Sequence, residues 1–157
     1  MKRVFVIGAA AAAAFSVSMA VSAPQKPAGA DTQLPLKEFM GHVMDRNAAQ
    51  LWRWTAYEID EKGEHSGKPT TELEWEEAES DALTLQQLTL LVENSVFSSD
   101  ERWAVHLAGL RAAATASADA AERKDYEALE KAGNDVNDQC VSCHLTFAPD
   151  LERQPDP

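Results

Sequence analysis

The residues with the most reactive chemistry in this chain lie together near its C-terminus, in the stretch Cys140-Val141-Ser142-Cys143-His144. It contains both cysteines of the sequence. Two thiols at this spacing could form a disulfide, supply half of a zinc site, act as a redox dithiol or anchor a haem. Cys-x-x-Cys-His is the attachment sequence for c-type haem. On a helix both thiols face one side and can add to the two vinyl groups of one haem, and the adjacent His144 then reaches the iron.

The three other uses of the thiols fit the sequence less well. A disulfide between cysteines one helical turn apart closes a tiny loop and constrains almost nothing. A thioredoxin-like dithiol lies at the start of a helix that follows a strand, whereas this pair lies near a predicted helix end. A zinc site needs further ligands, and the remaining histidines, His42, His65 and His106, are isolated in the sequence. The motif therefore predicts one covalently attached haem c per chain.

The N-terminus predicts that the chain is exported. A basic start, Met1-Lys2-Arg3, is followed by an apolar, alanine-rich run that ends in Val21-Ser22-Ala23. This is the layout of a signal peptide over residues 1–23, with small residues where a signal peptidase cuts. An uncleaved membrane anchor is the alternative, which the weak hydrophobicity of alanine and serine disfavours. We expect a periplasmic protein without stable membrane insertion after cleavage, a disordered lead-in over residues 24–33, and a C-terminal tail over residues 151–157.

The charge of the chain limits its partners. Acidic residues outnumber basic ones by 26 to 14, and the formal net charge is −12 at pH 7. So acidic a chain is a poor candidate for binding nucleic acid or an anionic membrane surface. It is better suited to steering a basic protein partner, here a redox partner protein. A homodimer is also compatible with the sequence.

From Leu34 onward, apolar residues recur at helical spacing, and no stretch alternates as a strand does. The first predicted helix opens at Pro35 and runs to Tyr57. When its residues are placed about 100° apart, Met40 falls in the middle of the apolar arc and Met44 nearer one side. A polar loop over residues 60–69 breaks the pattern with two glycines and a proline.

Three further helices follow the polar loop. Capping boxes at Thr71 with Glu74 and at Ser98 with Glu101 predict the starts of the second and third helices. The fourth helix carries both cysteines on a seam that steps by three and four residues, and Pro149 closes it. The buried stripes of the second and third helices are predicted at Trp75, Ala78, Ala82, Leu85, Leu88 and Val92, and at Trp103, Leu107, Leu110, Ala114, Ala118 and Ala121. The fourth seam reads Tyr126, Leu129, Gly133, Val136, Cys140, Cys143 and Phe147. The predicted fold is an all-α, antiparallel four-helix bundle over residues 34–150.

Other histidines and tryptophans have simpler interpretations. His42 lies two residues from Met40 and should face solvent if Met40 faces inward. His65 is expected to be exposed in its loop, and His106 to be satisfied or solvated at the edge of its stripe. Trp52 and Trp54 are two residues apart, so one helix cannot turn both inward.

An exported chain of this size, with four amphipathic helices and Cys-x-x-Cys-His followed three residues later by Phe147, resembles the class II c-type cytochromes, the cytochrome c prime family. The resemblance implies that an antiparallel four-helix bundle encloses a covalent haem. Carried over, the covalent attachment falls to Cys140 and Cys143, and the proximal iron ligand is His144. The family often has a basic residue after the aromatic, where this chain has Ala148.

The resemblance implies that the first helix decides the function. Members with a methionine facing the iron are low-spin electron carriers, and members with an aliphatic or aromatic residue there are five-coordinate and bind small gases. Met40 is the predicted distal ligand and Met44 the second choice, because methionine sulfur is a known haem ligand. The sequence thus predicts a non-enzymatic carrier of single electrons. The alternatives are a five-coordinate cytochrome c prime that binds NO or CO, and a haem-free helical adaptor.

Overall fold

A computed structural model describes residues 34–150 of the chain. The predicted signal peptide, lead-in and C-terminal tail lie outside these residues. The elements are α1 (Leu36–Phe39), a π-helical turn (Met40–Met44), α2 (Asp45–Trp52), β1 (Tyr57–Asp60), β2 (Gly63–Ser66), α3 (Glu72–Leu91), α4 (Glu101–Glu122) and α5 (Tyr126–Phe147). We call the stretch from α1 through α2 the first helical segment. The prediction of a mainly helical fold is confirmed.

The prediction of no strands was wrong, because the polar loop forms a small β-hairpin. Strands β1 and β2 pair antiparallel, with Tyr57 opposite Ser66 and Asp60 opposite Gly63. Asp60 Oδ1 accepts the backbone N–H of Lys62 at 2.7 Å, and Gly63 takes a φ of +129° that an L side chain rarely adopts. All eight strand residues are exposed, so the hairpin lacks the alternation of buried and polar residues that marks a strand in a sequence.

The first helical segment differs from one uniform helix in two ways. The chain widens into a π turn at Met40–Met44, and the segment ends at Trp52, where the sequence predicted a helix to Tyr57. Because the backbone changes direction after Trp52, both tryptophans pack inward, which corrects the expectation for the pair. Trp52 Nε1 donates to the Gly133 carbonyl at 3.1 Å, and Trp54 Nε1 donates to Asp81 Oδ2 at 2.7 Å.

The starts of the two long helices α3 and α4 were predicted with different success. The capping box of Thr71 and Glu74 is present at α3 as expected. At α4 the residue that caps is Asp100, whose Oδ1 accepts the N–H of Arg102 at 2.9 Å. The predicted box at Ser98 was wrong, because an aspartate two residues later supplies the same acceptor directly at the helix start.

Neighbouring helices in the core run in opposite directions. Gln86 bonds Thr115 at 2.9 Å while Trp103 Nε1 donates to the Val92 carbonyl at 3.0 Å, so α3 and α4 are antiparallel. His106 bonds Thr146 at 3.2 Å across α4 and α5. The predicted stripes of α3 and α4 are confirmed as core except at Leu88, which is half-buried. Within residues 34–150, the helices are all too short or too polar to cross a membrane.

Candidate haem site

The two thiols of the motif lie in the last turns of α5 and face the core. Cys140 and Cys143 are free thiols, both half-buried, and both pack against the core cluster. His144 is half-buried beside them. The two sulfur positions therefore share one side of the helix, as the spacing predicted. The structure contains no disulfide between them.

The contacts of Gly133 identify the side of α5 on which Cys140 and His144 lie. Gly133 accepts the Trp52 indole N–H, and a Cβ at Gly133 would meet Thr55 Oγ1 at 3.4 Å, so this side of α5 lies against the end of the first helical segment. His144 follows Gly133 by eleven residues, which brings it back to within about 20° of the same side of the helix. Cys140 follows Gly133 by seven residues, which also brings it to within about 20° of the same side of the helix. Cys140 and His144 thus lie on the same side of α5 as Gly133, the residue that contacts the end of the first helical segment.

The first helical segment and α5 border the same core. Trp52 Nε1 donates to the Gly133 carbonyl at 3.1 Å. Met44 belongs to the core cluster, and Met40, Cys140 and Cys143 pack against that cluster. Both candidate distal ligands and both thiols therefore border one apolar core.

The burial of the two methionines reverses the order expected from the sequence. Met44 is only 3% exposed and belongs to the core, whereas Met40 is half-buried and packs against the edge of the core. The π turn explains the difference, because it holds more residues per turn than a regular α-helix and so rotates the residues that precede it around the helix axis. A π turn within an α-helical run is often found at a functional site.

The core seam opens towards the end of α5 that carries the motif. Leu129 and Val136 are 0% exposed, whereas Cys140, Cys143 and Phe147 are each only half-buried. In the first helical segment, Leu36, Met40 and Val43 are half-buried, whereas Phe39 and Met44 are buried. An apolar, partly open surface therefore lies around the thiols.

Aromatic rings close the far end of this surface. The Phe147 ring centroid lies 4.9 Å from that of Phe97 and 5.2 Å, edge to face, from that of Trp103. His106 meets the same ring at 5.9 Å and bonds Thr146, so it is a satisfied histidine as predicted. Offset and edge-to-face arrangements of this kind are the favoured ones for aromatic pairs. Phe147, which follows the motif by three residues, thus lies in a cluster of aromatic rings.

The thiols are not activated for redox chemistry of the dithiol type. Burial raises the pKa of Cys140 to about 11, with further contributions from Cys143 and Asp45. Burial also raises the pKa of Cys143. Dithiol oxidoreductases instead lower the pKa of the attacking thiol. A redox dithiol is therefore disfavoured by the environment of the pair as well as by its place at a helix end.

A zinc site is disfavoured for a geometric reason. Among residues 34–150, no three His, Cys, Asp or Glu side chains are grouped closely enough to hold a metal ion by themselves. The exposed His42 lies 3.2 Å from Glu38, and the exposed His65 lies 2.9 Å from Asp60. Both histidines face away from the core, as the sequence predicted.

A shallow depression of about 500 Å³ lies elsewhere, lined by Asp125, Glu127, Ala128, Glu130, Lys131 and Asn134. These residues belong to the start of α5, whereas the motif occupies its end. The depression therefore has no part in the candidate site. The contact between Trp52 and Gly133 was not predicted from the sequence, although a glycine on a helical seam is a signal for close approach of a neighbour.

Comparison of the chain with protein-family models, with curated proteins and with solved structures gave no significant match in any of the three.

Proposed function

We propose that this chain is a periplasmic class II c-type cytochrome, an electron carrier whose helices form an antiparallel four-helix bundle with a covalently attached haem. The observation that carries the proposal is the position of the motif. Its two thiols lie where the core seam opens, and they pack against the same core cluster as Met40 and Met44.

The residues present fit a covalently held haem. Cys140 and Cys143 are free, adjacent on one helix side, and surrounded by apolar side chains. They would form the two thioether bonds, and His144 would ligate the iron from α5. The haem would supply one-electron chemistry, with its potential set by ligands and burial. The half-buried apolar rim around the thiols would exclude water from most of the ring.

We propose Met40 as the distal ligand. Its side chain lies at the edge of the core and so can turn towards a group held by α5 without emptying the core. Met44 is almost completely buried, and its withdrawal would leave a cavity. His42 is a poor competitor because it faces solvent. The acidic surface favours redox partner proteins with a basic docking face.

The proposal is tested by the optical spectrum of the protein from a host with haem-attachment machinery. We expect haem that stays with the chain after denaturation and acid–acetone extraction, and no attachment in the Cys140→Ser/Cys143→Ser variant. Absence of retained haem from the unmodified chain would refute the proposal and favour a haem-free adaptor.

The sixth ligand is tested with the same preparation. We expect a low-spin spectrum that changes little with carbon monoxide, and a high-spin, carbon monoxide-binding form in Met40→Ala. Val43→Ala is the matched control, since Val43 is a half-buried apolar residue of the same turn. Ready binding of carbon monoxide by the unmodified ferrous protein would instead support a five-coordinate, gas-binding cytochrome.

A further inference from the structure

The β-hairpin has an open edge along β1. Within the described residues the sheet consists of β1 and β2 alone. The Gly67 N–H donates to the Ala56 carbonyl at 2.8 Å, directly beside the first strand pair. Because hydrogen-bonded and non-hydrogen-bonded pairs alternate along an antiparallel ladder, Tyr57 and Ile59 belong to non-hydrogen-bonded pairs. Their N–H and C=O groups point away from β2, and we call this row of backbone groups the β1 edge.

The β1 edge has few of the features that protect free edges in other proteins. Such edges are commonly blocked by a proline, distorted by a bulge or covered by another element. Strand β1 contains no proline, its pairing with β2 is regular, and all its residues are exposed. Its protection is charge, since residues 57–66 contain four acidic side chains and one lysine. This charge repels the same hairpin of a second copy and attracts a basic strand.

The side chains of β1 define the sequence that the edge can accept. Tyr57 and Ile59 point to one face of the hairpin and are 57% and 70% exposed. Glu58 and Asp60 point to the opposite face. A strand added at the edge places its own side chains alternately on these two faces. Apolar side chains then lie beside Tyr57 and Ile59, and basic side chains lie beside the two carboxylates.

We propose that the β1 edge binds an extended segment of a partner protein in which basic and apolar residues alternate. The segment adds to the hairpin as a third strand. In this mode of recognition, main-chain hydrogen bonds provide affinity and alternate side chains provide specificity. Charge complementarity selects this occupant over a second copy of the chain, because two hairpins would bring like charges directly opposite each other.

The hairpin is held in place before any segment binds. A Cβ at Gly67 would lie 1.6 Å from the carbonyl oxygen of Arg53, so the backbones at these two residues are in direct contact. Pro69, which follows the hairpin, is fully buried. A strand whose conformation is already fixed loses little conformational entropy on binding.

The hairpin also lies apart from the haem-attachment motif. It follows Thr55, and Thr55 lies against Gly133 of α5. His144 is eleven residues further along α5, a distance of about 16 Å. A segment bound at the β1 edge therefore does not cover the thiols, and the proposal does not depend on the proposed cytochrome function.

The test is an NMR titration of the ¹⁵N-labelled chain with a short synthetic peptide in which lysine and valine alternate. We expect slower hydrogen exchange at the amides of Tyr57 and Ile59, which gain acceptors from the peptide. A control peptide of the same composition, with lysines and valines in separate blocks, keeps the charge and loses the alternation. It should bind at least about tenfold more weakly.

Two pairs of variants locate the contact. Ile59→Pro removes an outward N–H without removing a bond between β1 and β2, and should abolish binding; Ser66→Pro is its control on the β2 side. Glu58→Arg reverses a charge beside the added strand and should weaken binding about fivefold or more. Glu130→Arg makes the same change at an exposed site on α5 and should have little effect.

Three results would overturn the proposal. One is unchanged exchange of the Tyr57 and Ile59 amides with peptide up to about 1 mM. Another is equal binding of the block peptide, which would show attraction by charge alone. The third is equal weakening by Glu58→Arg and Glu130→Arg, which decides the matter even if Ile59→Pro unfolds the hairpin. These results do not depend on whether the chain carries haem, so this proposal and the proposed function are tested separately.

Discussion

The two methionines of the first helical segment should differ sharply in what they contribute to stability before haem is attached. In a Cys140→Ser/Cys143→Ser background, Met44→Ala removes three buried non-hydrogen atoms from the core, where Met44 is 3% exposed. Truncation of a buried methionine to alanine costs about 2–5 kcal/mol of unfolding free energy, through lost burial and the cavity left behind. We expect about 3 kcal/mol for Met44→Ala.

Met40→Ala should cost much less in the same background. Met40 is half-buried, and part of its side chain already contacts solvent. Full burial of such a side chain is worth about 1.5–3 kcal/mol, so the loss of a half-buried one should cost about 1 kcal/mol. The spectroscopic order in the haem-bearing protein should be the reverse, because Met40 is the proposed ligand and Met44 a core residue.

The assay is urea denaturation followed by circular dichroism at 222 nm. Met44→Ala should lower the midpoint about three times as far as Met40→Ala, with the slope of the transition unchanged. Thermal unfolding should show the same order, with Tm lowered by roughly 10 °C for Met44→Ala. Equal losses, or a larger loss for Met40→Ala, would refute the assignment of Met44 to the core and of Met40 to its edge.

Three further predictions concern single residues. Thr71→Ala removes the side-chain cap of α3 and should lower the free energy of unfolding by about 1 kcal/mol in urea denaturation. Thr71→Ser should keep most of the stabilisation that the cap provides. Trp103→Phe keeps the ring but leaves the buried carbonyl of Val92 without its 3.0 Å donor, and should cost about 1–3 kcal/mol in the same assay. In the haem-free protein, the pKa of Cys140 is raised to about 11, above that of the unfolded thiol. The contribution of the Cys140 thiol to stability should therefore be complete below about pH 8.5 and lost as pH rises through 11. Urea denaturation at pH 8 and at pH 11 measures this loss of stability. A Cys140→Ala variant should not show it.

The long helices could be predicted from the sequence because their signals are local. The apolar residues of α3 and α4 recur at a period that one helix face requires, and the box at Thr71 satisfies backbone groups within its own turn. The motif of α5 is equally local, since two thiols three residues apart share a side of any helix. The start of α4 was misplaced because two acceptors compete within three residues, and only the backbone path selects Asp100.

The hairpin and the first helical segment could not be predicted from the sequence. Every strand residue of the hairpin is exposed, so its sequence lacks the alternation of apolar and polar residues that predicts a half-buried strand. The inward packing of both Trp52 and Trp54 depends on a change of chain direction that accompanies two long-range bonds, to Gly133 and Asp81. Such partners lie far away in the sequence, so local periodicity cannot predict them.

For the candidate site, the sequence by itself determined which groups are available and how they are spaced: two thiols, an adjacent imidazole and two methionines. These follow from covalent order and from the fixed rotation per residue of a helix. Only the tertiary structure decided that both thiols pack against the core, that the core seam opens around them, and that Met44 is buried while Met40 lies at the edge. The reason is that burial depends on contacts between helices. The π turn also rotates Met40 around the helix axis, and a regular period of 3.6 residues does not predict that rotation.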